Sequence, residues 1–146
     1  MLYLGSDHAG FVVKEKIKKL LDSKRVEYSD LGTYSETSVD YPDFAIKVAK
    51  SVAKNKNQGL RNRGILVCGS GVGMSIAANK VKGIRAVAAY DVYTAKMSRL
   101  HNDSNILALR ARNFPFEKTK KIISAWLNTD FSNEARHKKR INKMEE

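Results

Sequence analysis

Cys68 is the one cysteine of the chain, closing a short apolar run at residues 64–68 directly before the turn Gly69-Ser70-Gly71-Val72-Gly73. A lone thiol forms no internal disulfide and supplies too few soft ligands for structural zinc, so any chemistry here is that of a base or nucleophile. A helix expected over residues 74–81 would present its positive end to the sulfur and lower a thiol pKa from about 8.5. Ser70 adds a hydroxyl that could pass a proton or cap that helix. As packing, Cys68 also reads as a small core hydrophobe at a strand end.

Three glycines in five residues let the backbone approach an anionic oxygen, and they serve equally well as a tight strand-to-helix connection. The dinucleotide pattern GxGxxG fails at Met74, although Asp91 lies near the spacing of a ribose-binding acid, and GxxxxGK is absent. His8, His101 and His137 sit among polar residues with neither an HExxH pattern nor a short-spaced His/Cys pair, so no metal is assigned. Arg136 and Arg140 are one helical turn apart and could fork onto a phosphate, or form a solvated basic terminus.

Short apolar runs alternate with helical patterns. Strands are expected at residues 2–4, 26–31, 64–68, 84–89 and 106–109. Helices are expected at about 9–24, from Pro42 through Val52, and at 74–81, 92–100 and 116–127, followed by a basic helical tail from Asn133. Residues 33–41 read as a polar loop and 55–63 as a polar, basic connection. This alternation predicts an α/β fold, a single Rossmann-like three-layer sandwich on a five-stranded parallel sheet, because parallel strands need crossovers that cover both faces. Ligands of such sheets bind beyond the carboxyl ends of the strands. That rule nominates Asp7 and His8, residues 68–73, Tyr90 and Asp91, and Arg110 and Arg112.

At 146 residues, 42% hydrophobic and 29% charged, the chain suits one domain over 1–146 with a real core. No run approaches the roughly 18 apolar residues of a membrane span, and MLYLGSDHAG lacks the regions of a signal peptide, so a cytoplasmic location is expected. The net charge of +12 favours anionic ligands. Nucleic acid is disfavoured as a partner, since the tail from Asn133 has no aromatic residue for stacking.

Taken together, these residues resemble the ribose-5-phosphate isomerase B family, which also contains the galactose-6-phosphate isomerase subunits. The resemblance runs nearly the whole chain. It is carried by Ser6-Asp7-His8-Ala9-Gly10, Asp40-Tyr41-Pro42, the run from Cys68 to Lys80, Ser98-Arg99-Leu100-His101-Asn102-Asp103, and Arg136-His137 with Arg140. It implies a cofactor-independent aldose-ketose isomerase of the pentose phosphate pathway, interconverting ribose 5-phosphate and ribulose 5-phosphate through an enediolate. Cys68 would be the base, Ser70 the proton shuttle and His101 the ring-opening acid-base group. Asp7, His8, Tyr41, Gly69, Gly71, Val72, Gly73 and Asn102 would line the pocket, and Arg112, Arg136 and Arg140 would hold the phosphate. It implies a homodimer, sometimes paired into a tetramer, with pockets built from both subunits. Some relatives use a Glu at the position of Met74 in place of the thiol, and many carry Thr at position 70. Arg110 receives no role. A six-carbon substrate such as allose 6-phosphate or galactose 6-phosphate is the alternative reading.

Overall fold

The computed structural model describes residues 1–54 and 61–146; most of the expected basic connection at 55–63 therefore lies outside the described residues. Its elements are β1 (Leu2–Ser6), α1 (Phe11–Ser23), β2 (Tyr28–Asp30), α2 (Tyr41–Ala53), β3 (Arg63–Cys68), α3 (Val72–Ala78), β4 (Ala86–Ala88), α4 (Val92–Asn102), β5 (Ile106–Arg110), α5 (Phe116–Leu127) and α6 (Ala135–Glu145). The five described strands form one parallel sheet in the order β2-β1-β3-β5-β4, so the expected α/β sandwich is the fold observed.

Side-chain alternation along the central strands feeds two layers. Leu2, Leu4, Ile65, Val67, Leu107 and Leu109 pack against Ile17 and Leu21 of α1, Ala95 of α4, and Ile122, Ile123 and Trp126 of α5. Leu66, Cys68, Ile106 and Ala108 face the other way, onto α2 and onto Met74 and Ala78 of α3. Both faces are therefore covered, as an all-parallel sheet requires.

Several boundaries differ from the sequence expectation. β1 runs on to Ser6, whose amide donates to the Gly32 carbonyl. The border strands are shorter than expected: β2 pairs only residues 28–30 with β1, and β4 only residues 86–88 with β5. Before β4, the Ile84 amide closes a turn onto Val81 and the Arg85 amide donates to the Asn105 side chain, so neither amide joins the ladder, while the Arg85 carbonyl accepts the Asn105 amide. α2 begins at Tyr41 with Pro42 in its first turn, and α3 begins two residues early, at Val72, and ends at Ala78.

The direction of α4 matters most for function. It follows β4 and precedes β5, so it runs antiparallel to the strands and returns the chain to their amino ends. There, the carbonyls of Asn102 and Asp103 accept from Arg85, just ahead of β4, and Asp103 pairs with Arg61, just ahead of β3. Among the described residues, no helix is long and apolar enough to cross a membrane.

Candidate active site

The carboxyl ends of β1, β3, β4 and β5 gather one group of residues. The Asp7 amide donates to the Val67 carbonyl, and the Asp7 carboxylate caps the entry to α1 by accepting the Gly10 amide at 2.9 Å. His8 accepts the Val39 amide on Nδ1 at 3.1 Å, which in the neutral ring leaves the proton on Nε2. Cys68 lies at the foot of the loop, 5% exposed, and its Sγ accepts the Gly71 amide at 3.1 Å. An amide aimed at sulfur is a bond that the anionic form accepts more strongly than the thiol.

The glycines of the loop have separate reasons. Gly71 has φ +80, in the left-handed region. Gly69 and Gly73 admit close neighbours: an added Cβ would meet the Arg112 guanidinium at 3.0 Å and the Tyr41 ring at 2.9 Å. The loop is thereby flanked by Arg112, whose amide also donates to the Gly69 carbonyl, and by Tyr41. Ser70 is exposed, and its Oγ accepts the Val72 amide at 3.3 Å, a local turn bond within the loop rather than a cap on α3.

Two residues of this group were marked only by the strand-end rule. Arg110 pairs in register with Cys68, and its Nε donates to the Arg112 carbonyl. Tyr90 reaches from the end of β4 to the Ser70 carbonyl at 2.7 Å. Asp91, by contrast, is the N-cap of α4: it accepts the Thr94 amide and hydroxyl, and those bonds hold its carboxyl below the usual range. It is engaged in structure rather than as a ribose-binding acid.

His101, Asn102, Arg136 and Arg140 lie elsewhere. His101 stacks on His137 with centroids 4.3 Å apart, bringing α6 onto the end of α4 at the amino ends of the strands. Since β3 spans six residues, roughly 16 Å of sheet separates that end from Cys68. Arg136 and Arg140 are both exposed on α6, and Arg136 is paired with Glu134 at 2.8 Å. Within one chain, therefore, the three arginines expected to clamp a phosphate do not converge: Arg112 is at one end of the sheet and the other two are at the opposite end. A cavity of about 600 Å³ opens at that amino end, lined by Arg85, Ala86, Ser98, Asn102 and Glu145 among others. No group of three or more His, Cys, Asp or Glu side chains among the described residues is placed to hold a metal ion.

A family model described as Ribose/Galactose Isomerase matches residues 2–144. Ribose-5-phosphate isomerase B of Escherichia coli (strain K12) is 45% identical over 137 residues, covering 94% of this chain and 89% of that protein. The structure of Clostridium thermocellum ribose-5-phosphate isomerase B is similar with TM-score 0.92 and 44% identity, covering 99% of this chain and 94% of that one. Ribose-5-phosphate isomerase B from Mycoplasma genitalium, solved with bound ribulose-5-phosphate, is similar with TM-score 0.91 and 39% identity, covering 99% of this chain and 93% of that one.

Proposed function

The chain belongs to the ribose/galactose isomerase family, and on that premise we propose that residues 1–146 form one sugar-phosphate isomerase domain that interconverts ribose 5-phosphate and ribulose 5-phosphate. An aldose-ketose isomerisation removes a proton next to a carbonyl and returns it to the neighbouring carbon, so it needs a base, a hydroxyl proton shuttle and stabilisation of an enediolate oxygen. Cys68 is the base: its Sγ takes the proton from C2 and delivers it to C1. Ser70 moves the proton between O1 and O2, and amides of the 69–73 loop face the developing charge. The observation that carries this reading is the sulfur of Cys68 set under the glycine loop and accepting the Gly71 amide, with Asp7, Tyr41 and Arg112 around it.

The remaining parts come from a second copy of the chain. A two-fold axis across the strands reverses the partner's sheet and brings its amino end beside this Cys68. The partner's His101 then opens the sugar ring, the partner's Asn102 contacts the sugar, and the partner's Arg136 and the partner's Arg140 join Arg112 and His8 around the phosphate. A dianionic phosphate gripped far from C1 and C2 orients the carbons that react. The similarity to the M. genitalium enzyme solved with ribulose-5-phosphate supports the five-carbon substrate.

Incubation with ribose 5-phosphate in EDTA is expected to yield ribulose 5-phosphate. Cys68→Ala is expected to lower kcat by about a thousandfold with circular dichroism unchanged. Undiminished turnover in Cys68→Ala overturns the assignment of the base. Specificity constants for ribose 5-phosphate, allose 6-phosphate and galactose 6-phosphate, measured side by side, decide the chain length of the sugar.

A further inference from the structure

The Tyr90 hydroxyl donates to the Ser70 carbonyl at 2.7 Å, and the Gly71 amide donates to Cys68 Sγ at 3.1 Å. These two contacts fall on the two ends of one planar peptide unit, whose C=O and N–H point in opposite directions when trans. Fixing the oxygen therefore aims the hydrogen. Hydrogen bonds in a chain also polarise one another, so a donor on the carbonyl makes the N–H of the same peptide a stronger donor.

We infer that Tyr90 is a positioning residue for Cys68: through the Ser70–Gly71 peptide it orients and polarises the amide that donates to the sulfur. The inference rests on Cys68 being the base, and it adds a residue from just beyond the border strand β4, 20 positions from Ser70 in sequence. Tyr90 is suited to the task because its ring is tilted against Phe114 at 6.5 Å while its hydroxyl is directed at the loop. Other polar or charged groups around the sulfur come from separate elements. Asp7 and His8 follow β1, Tyr41 lies on α2 against Gly73, Arg110 is in register on β5, and Arg112 lies against Gly69. A change at Tyr90 leaves all of them in place.

Tyr90→Phe keeps the ring and deletes the hydroxyl. Because the chain has one cysteine, the rate of alkylation by iodoacetamide reports Cys68, and ultraviolet thiolate absorbance does so when taken as the difference from the same protein carrying Cys68→Ala, which cancels the signal of the tyrosines. Followed across pH in the full-length protein, both are expected to rise at higher pH in Tyr90→Phe, with alkylation at neutral pH about threefold slower. Coincident profiles for Tyr90→Phe and wild type overturn the inference. A Cys68→Ser protein retaining full isomerase activity would instead defeat the base assignment, and the absorbance measurement would still read the link from Tyr90 to the sulfur.

Discussion

The sulfur of Cys68 answers to one amide rather than to a helix. The element after it, α3, is only seven residues long, too short for its dipole to dominate, whereas the Gly71 N–H points straight at Sγ. The core-packing reading of this residue describes its place within the α2–α3 layer, where its sulfur also accepts an amide. The type and spacing of Cys68, Ser70 and the three glycines were legible because they are contiguous. The contact from Tyr90 was not, since no local pattern ties a residue to a carbonyl on a different loop. His137 makes a different case. It is 4% exposed, and its Nε2 has no hydrogen-bond partner among the described residues. Burial, reinforced by His101, Arg136 and Arg140 and opposed by Glu134, holds its pKa below the ordinary 6.5. The unfolded chain therefore binds the proton more readily than the folded one, and the stability this neutral ring contributes is fully present above about pH 6.5 and is lost as the pH falls from there through the lower pKa of the folded ring. Urea midpoints taken at about pH 7 and about pH 5 should fall for the wild type and fall less for His137→Phe.

At the scale of the element, the end of α4 is pinned by one carboxylate. Asp103 is the C-cap, left-handed at φ 46, and it collects Arg61, Arg85 and Arg99 from three parts of the chain. Arg99 is itself buried and also donates to the Ser104 and Thr129 carbonyls. Removing the carboxylate leaves buried positive charge without its partner, so Asp103→Ala should cost about 3 kcal/mol in urea denaturation. Asp103→Asn should cost less, because Asn keeps acceptor capacity and tolerates the left-handed conformation. The order and type of the elements could be read from alternating apolar runs, whose periods change from strand to helix. Their ends could not: Ile84 and Arg85 look like strand, yet a side-chain amide from Asn105 and a turn onto Val81 claim them. His101 lies at the amino ends of the strands because a crossover helix carries its last residues back there, a placement the family motif alone did not convey.

For the whole molecule, placing Cys68 and His101 at opposite ends of one sheet makes subunit mixing a direct measurement. On the proposed two-fold dimer, coexpressed Cys68→Ala and His101→Ala chains are each expected to be inactive alone and together to regain about a quarter of wild-type activity, because half the dimers would be mixed and each mixed dimer would hold one whole site. Absence of any recovery would place both residues in the same subunit's site. The sheet's two borders also constrain how copies can meet. β2 and β4 each expose only three residues of backbone outward, too little to template continuous strand addition, so the sheet is guarded against growth into fibrils through its borders.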